Sequence, residues 1–326
     1  MKSKAALLSA CVFSVALPLF LASCAGQVAA AGGGGAAGFS NPVMVGADPH
    51  VCVVGKDVWL YSTNGSGQFY VFVSNDLRKW ERRGPVLRFK DVAWVEEGRK
   101  NRGAWAPGVI ERGGRWYFYY SVGPKPSRIG VAVGDGPAGP FRDSGRPLLS
   151  DEGKRGFEAI DPMVFADPKT GKHYLYAGGS AGSKLRIFEL NDDLVSFARE
   201  IKTKTPPKFT EGAFMHFRKG IYYLSYSHGS YKTSSYSVHY ATSETPVGPW
   251  TYRGEILASD ATRKGPGHHS FFTSPLDGAE LIAYHRYENQ TGDGPYKVPR
   301  QIAFERIRYT DDGLIEPIFM TGAGRE

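Results

Sequence analysis

Short apolar runs rich in tyrosine recur along this chain, and no stretch sustains the i, i+3, i+4 spacing of an amphipathic helix. Trp59-Leu60-Tyr61-Ser62 leads to Phe69-Tyr70-Val71-Phe72-Val73 and then to Asp76-Leu77-Arg78-Lys79-Trp80. Trp116-Tyr117-Phe118-Tyr119-Tyr120-Ser121 leads to Ile129-Gly130-Val131-Ala132-Val133 and Gly139-Pro140-Phe141. The same order returns in His173-Tyr174-Leu175-Tyr176, Leu185-Arg186-Ile187-Phe188 and Leu194-Val195-Ser196-Phe197. It returns again in Tyr222-Tyr223-Leu224-Ser225-Tyr226, Tyr236-Ser237-Val238-His239-Tyr240 and Gly248-Pro249-Trp250. The last unit is Leu281-Ile282-Ala283-Tyr284-His285, Ile302-Ala303-Phe304-Glu305-Arg306 and Asp311-Asp312-Gly313. Each unit predicts a tyrosine-rich strand, a second strand, a turn and an aromatic-bearing outer strand. A period of about 50 to 60 residues falls in the range of solenoids, propellers and arrays. One such sheet cannot cover both of its faces, whereas sheets packed radially cover each other. The pattern therefore predicts an all-β chain, a five-bladed β-propeller forming a single domain over residues 39–326. A β-sandwich is the rival, but it does not require the five-fold recurrence.

In a propeller the innermost strand of each blade precedes the tyrosine-rich one and lines a central funnel. Five motifs stand at those places: Ala47-Asp48-Pro49-His50, Trp105-Ala106-Pro107, Ile160-Asp161-Pro162, Thr210-Glu211-Gly212 and Gly267-His268-His269-Ser270. Three of them carry an acid. Glu211 lies between Phe209 and Phe214, and a carboxyl in apolar surroundings holds its proton towards neutral pH. Three carboxyl groups, each just before a strand, suggest glycoside hydrolysis. Asp-Pro is also an ordinary turn signal, and Asp167-Pro168 in Ala166-Asp167-Pro168-Lys169-Thr170-Gly171 is read as such a turn.

The first residues change the picture of where this domain works. Lys2 and Lys4 precede an apolar run that ends at Leu21-Ala22-Ser23-Cys24, as in a secretory signal. That ending resembles a bacterial lipobox, which implies a signal over residues 1–24 and a lipid-modified Cys24; an ordinary signal cut near Ala25 or Ala31 is the alternative. An Ala/Gly-rich tether follows over residues 25–38. The expected location is beyond the bacterial inner membrane, lipid-anchored at a periplasmic or outer-membrane surface, with no other membrane contact. Of three cysteines, Cys11 and Cys24 belong to the signal, so Cys52 in Val51-Cys52-Val53-Val54 is read as a buried, inert thiol. The formal charge of +8 is spread over scattered positions, which excludes the basic stripe of a nucleic-acid binder. A monomer is expected.

The ordered set Asp48, Trp105-Ala106-Pro107, Asp161, Glu211 and Gly265-Pro266-Gly267-His268 resembles glycoside hydrolase family 43 across about residues 41–317. The resemblance implies a five-bladed propeller and hydrolysis with inversion. It implies Asp48 as general base, Glu211 as general acid, and Asp161 as the carboxylate that keeps the acid protonated and oriented. It implies that Trp105 packs on sugar, and that Arg300 reaches a sugar hydroxyl and the acid. It implies that His268 stands beside a structural Ca2+ whose shell is mostly water, with no organic cofactor. His269 is read as structural, and His228 and His285 end tyrosine-rich strands. Gly108 after Trp-Ala-Pro and Ala213 after Glu-Gly depart from the usual pattern and are expected to bear on sugar specificity. The implied function is an inverting exo-glycosidase of terminal pentosyl or furanosyl residues on polysaccharide or oligosaccharide, with α-L-arabinofuranosidase first and β-xylosidase or galactofuranosidase as rivals. A glycoside phosphorylase or sucrose-type transferase, and a lipid-anchored carbohydrate-binding propeller, are the readings from other classes.

Overall fold

The computed structural model describes residues 38–95, 102–152 and 156–322. The signal and all of the tether but Gly38 lie outside the described residues. A short strand β1 (Met44–Val45) precedes the first sheet, β2 (His50–Val54), β3 (Asp57–Tyr61), β4 (Gln68–Ser74) and β5 (Glu81–Arg88). The second sheet contains β6 (Gly103–Arg112), β7 (Arg115–Gly123) and β8 (Arg128–Gly134). Its outer edge is split between β9 (Arg142–Asp143) and β10 (Leu149–Ser150), both paired to β8. The third is β11 (Met163–Ala166), β12 (His173–Ala177), β13 (Arg186–Leu190) and β14 (Phe197–Ile201). The fourth is β15 (Glu211–Arg218), β16 (Ile221–His228), β17 (Ser237–Ser243) and β18 (Thr251–Leu257), and the last is β19 (Lys264–Thr273), β20 (Glu280–Tyr287) and β21 (Gln301–Arg306). All pairings are antiparallel and, apart from β1 with β21 and the split edge of β9 and β10 on β8, follow chain order, so each sheet is one blade of a five-bladed propeller.

Tyrosine is favoured in the second strands for a reason beyond burial. Tyr61 Oη donates to the Pro137 carbonyl at 2.6 Å, Tyr119 to Leu194 at 2.6 Å, Tyr176 to Pro246 at 2.5 Å and Tyr223 to Gly313 at 2.7 Å. In each case the phenol reaches a turn of the following blade. The ring fills the apolar space between blades and the hydroxyl satisfies a turn carbonyl there, which phenylalanine cannot do. The cores lie in the same places. Five buried clusters are found among the described residues, one at each junction of neighbouring blades. Cys52 is buried in the first of them. Asp167 forms the expected turn, accepting Thr170 Oγ1 at 2.6 Å, and also accepts Tyr222 Oη from the next blade at 2.6 Å.

The fifth blade departs from the pattern expected of it. Asp311-Asp312-Gly313 is the turn that Tyr223 reaches, but no outer strand of the blade follows it among the described residues. β1 fills that place, with Met44 paired to Ile302 and Val45 to Gln301. A strand from the other end of the chain joins the last blade to the start of the first, a constraint no single repeat encodes. Buried Asn41 fastens it. Its amide donates to Phe304 O at 2.6 Å and Thr321 Oγ1 at 2.9 Å, and its carbonyl accepts Phe304 N–H at 2.9 Å. Thr321 N donates to Glu305 Oε1 at 2.7 Å, so Asn41 and Thr321 both hold β21, and fully buried Arg286 on β20 donates to Thr321 O at 2.6 Å. Asn41→Ala leaves a buried N–H and carbonyl without partners, so it should cost about 2–3 kcal/mol. A lower urea midpoint with unchanged slope is expected; an unmoved midpoint would remove Asn41 from ring closure.

Candidate active site

One residue at the start of each blade adopts a left-handed backbone: Asp48 (φ 54°), Ala106 (41°), Asp161 (58°), Gly212 (63°) and His268 (42°). Ala106, Gly212 and His268 sit at bulges in β6, β15 and β19, a common device for re-aiming side chains beside active sites. Each N–H is accepted by a side chain of the preceding blade. Thr63 Oγ1 accepts Ala106 N at 2.8 Å, Ser121 Oγ accepts Asp161 N at 3.0 Å, and Asp161 Oδ2 accepts Gly212 N at 3.1 Å. Ser227 Oγ accepts His268 N at 2.8 Å, and His285 Nδ1 accepts Asp48 N at 3.2 Å. A ring of five bonds therefore passes through Asp48, Asp161, His268 and the backbone next to Glu211.

The three acids are all buried, but in different electrostatic settings. Asp48 Oδ1 accepts Arg300 at 2.9 Å, and its Oδ2 accepts the Thr63 hydroxyl. Burial opposes its ionisation, yet Arg300, with His268 and His285 beside it, holds the carboxyl well below its ordinary value. Burial keeps His268 below its usual value and His285 down at about 4, so at neutral pH the cation beside Asp48 is Arg300. Glu211 is the opposite case. Its Oε1 accepts the Tyr236 hydroxyl at 2.8 Å. Burial, then the charges of Asp48 and Glu158, push its carboxyl up to about 7 against the pull of Tyr236 and Arg300. Burial and the charges of Glu211, Asp48 and Glu158 likewise hold Asp161 well above its ordinary value.

One feature differs from what the resemblance implied. Arg300 makes its ion pair with Asp48 rather than with Glu211, because it directly precedes β21, which pairs with β1 just before β2. Asp161 and Glu211 raise one another, with Asp48 and Glu158 adding to both, and Asp161 also fixes the Gly212 N–H beside Glu211.

His268 Nδ1 stands 3.5 Å from Asp48 Oδ1 and 3.6 Å from Asp161 Oδ2, too far for good hydrogen bonds. Among the described residues no three His, Cys, Asp or Glu side chains are grouped to hold an ion. A cation here would have His268 and water for ligands, a shell that suits Ca2+ only through its waters. Trp105 is half-buried. Its indole lies across the paired Gly103 and Gly123, where an added Cβ would come within 1.9 and 2.0 Å of the ring. The Thr63 hydroxyl joins Trp105's neighbour Ala106 to Asp48. Gly108 has a packing reason: a Cβ there would meet the Pro162 carbonyl at 2.3 Å. It lets β6 close on the Asp161 segment.

Sequence reasoning missed Tyr236, Thr63, Ser227 and Glu158. Aligning the ends of the second strands shows a side-chain acceptor in Tyr61-Ser62-Thr63, Tyr120-Ser121, Tyr226-Ser227 and Tyr284-His285. That signal was available. Glu158 accepts Ala181 N at 3.0 Å from a loop, without a repeated position to mark it. His269 bonds Ser225 Oγ at 2.7 Å in the core, and His228 packs on His239 at 5.1 Å.

The comparisons agree on the kind of protein. The sequence model of glycosyl hydrolases family 43 matches residues 39–315. A β-D-galactofuranosidase of Aspergillus niger is 32% identical over 307 residues, covering 88% of this chain and 86% of its own. A xylosidase/arabinosidase of Humicola insolens is 30% identical, covering 71% of this chain and 78% of its own. Among solved structures, a thermostable family-43 glycoside hydrolase superposes with a TM-score of 0.73 at 26% identity, covering 88% of this chain and 98% of that one. An α-L-arabinofuranosidase of Clostridium thermocellum superposes with a TM-score of 0.68 at 27% identity, covering 85% and 94%.

The electrostatics can be read without substrate. In a 13C titration of labelled carboxyl groups, one Glu signal should turn over near pH 7, well above a free glutamate, and vanish in Glu211→Gln. A Glu211 midpoint near 4.5 would contradict the burial and charge described above.

Proposed function

Because this chain belongs to glycosyl hydrolases family 43 and is a glycoside hydrolase, we propose that it removes terminal pentosyl or furanosyl residues with inversion, first as an α-L-arabinofuranosidase. The observation that carries the reading is the division of charge between two buried acids: Asp48 ionised beside Arg300, and Glu211 protonated up to about pH 7. Inversion needs one carboxylate and one carboxylic acid on opposite faces of the scissile bond. Asp48 takes a proton from water as its oxygen attacks the anomeric carbon. Glu211 gives its proton to the departing glycosidic oxygen, and the C–O bond breaks. Asp161 holds the Gly212 N–H and so the direction of the Glu211 backbone. Trp105, lying on its glycine pair, offers an indole face to the sugar, and Arg300 orients Asp48. The similarity to the Aspergillus galactofuranosidase supports a furanose ring in either case, and the Humicola relative keeps xylose as a rival glycone.

Three outcomes are expected. Asp48→Asn and Glu211→Gln should each lower kcat by at least about 10²–10⁴-fold without loss of the thermal transition; near-normal turnover in either would remove the assignment. Fresh product followed by NMR should carry the opposite anomeric configuration, and retention would exclude this mechanism. The pH profile should be flat through mildly acidic pH, where Asp48 is already ionised, and fall as pH rises through about 7, where Glu211 loses its proton. Aryl arabinofuranoside, xyloside and galactofuranoside, assayed side by side, identify the glycone.

A further inference from the structure

The Glu211 carboxyl has two oxygens, and only one can carry the proton towards the leaving group. Tyr236 decides which. It is fully buried, and its Oη lies 2.8 Å from Glu211 Oε1. A phenol has one hydrogen to give, and Glu211 Oε1 is the acceptor it meets. A buried hydroxyl hydrogen left without an acceptor is costly, so the phenol donates and Oε1 accepts.

We propose that the hydrogen bond from Tyr236 to Glu211 Oε1 makes Oε1 the bare oxygen, so that the acid carries its proton on Oε2. This rests on the reading of Glu211 as the acid. Tyr236 is then a positioning residue. The frame around it is built for this. A Cβ at Gly267 would lie 2.2 Å from the Tyr236 ring and 3.0 Å from Ser227 Oγ, so a glycine makes room for both. The Tyr236 ring stacks on His285 at 5.6 Å and 14°, and His285 accepts the Asp48 N–H. Glu211 pairs with Ser227 across β15 and β16, and Ser227 Oγ accepts the His268 N–H at 2.8 Å, which fixes that strand to the next blade. Burial holds the Tyr236 phenol well above its ordinary range, so it remains a donor. The charged or titratable neighbours that act on Glu211 are Asp48, Asp161, Glu158, Arg300 and Tyr236 itself.

The test compares leaving groups. Tyr236→Phe keeps the ring and its stack and removes the hydrogen. On phenyl glycosides of the preferred sugar, which need protonation, kcat should fall about 10–100-fold, with KM nearly unchanged. On 2,4-dinitrophenyl glycosides, which leave without a proton, the loss should largely disappear. The alkaline limb should move to higher pH, because a donor that favoured the carboxylate is gone. If Tyr236→Phe does not fold, 3-fluorotyrosine at position 236 carries the test: a stronger donor to the carboxylate, it should move the alkaline limb to lower pH. Equal losses of Tyr236→Phe on both leaving groups, or an alkaline limb unmoved by either change, would overturn the role of Tyr236. Glu211→Gln is assayed alongside. If its own deficit does not shrink with dinitrophenyl, the assignment of the acid fails; if it shrinks and that of Tyr236→Phe does not, the role of Tyr236 alone fails.

Discussion

Five left-handed residues bonded around one axis are the constraint on which the rest depends. A non-glycine residue at positive φ costs about 1–3 kcal/mol and persists only where its surroundings over-determine it. Four of the five are Asp48, Ala106, Asp161 and His268. What over-determines them is the side-chain acceptor that each preceding blade presents. Aspartate tolerates this backbone better than most residues, so two of the strained positions are well suited to carry carboxylates. The fourth link needs a glycine: Gly212 adopts φ 63°, and a Cβ there would crowd His268 at 3.2 Å. Its acceptor is Asp161 itself. The bonds that set the angle between blades are therefore the bonds that aim the acids. A blade cannot shift without moving a carboxyl, and this rigidity is what a preorganised site requires.

The same ring separates the charges. Asp48 receives the chain's return at β1, and with it Arg300 from just before β21. Glu211 lies two blades away from the first on β15, with a phenol rather than a cation on its carboxyl. One buried acid is held ionised and the other protonated because topology delivers an arginine to one of them. The closure of the propeller is thus also an electrostatic event. Its outer fastening through Asn41 and Thr321 matters for the site as well as for the fold.

The blades were legible in the sequence because their spacing is repeated five times and the tyrosines have a repeated job. The acids were legible because they stand at equivalent places in the repeat. The fifth outer strand was not, since β1 replaces a strand that the last unit does not supply, and no repeat announces a partner some 250 residues distant. The partner of Arg300 followed from the same closure and was hidden with it. Tyr236 looked like one more core aromatic at the start of a strand. Only its hydroxyl, 2.8 Å from Glu211, sets it apart. Gly108 was read as a matter of sugar choice, when a carbonyl of the next blade occupies the space a side chain would need.

In the proposed mechanism, chemistry and choice of sugar fall to different parts of this molecule. The acids assigned as donor and base, with their supports, stand on inner strands and the bonds between them. Such positions tolerate little change, because each is both strained and shared. Glu158, which adds its charge to Glu211 and Asp161, comes from a loop. Tyr231, over whose ring the Arg300 guanidinium lies at 5.1 Å, also comes from a loop and is exposed. Loops can vary without disturbing the ring. Relatives named for galactofuranose, xylose and arabinose on one fold are what such a division would produce. On that reading the frame fixes the proton's place on Glu211, and the loops are where the choice of sugar can vary.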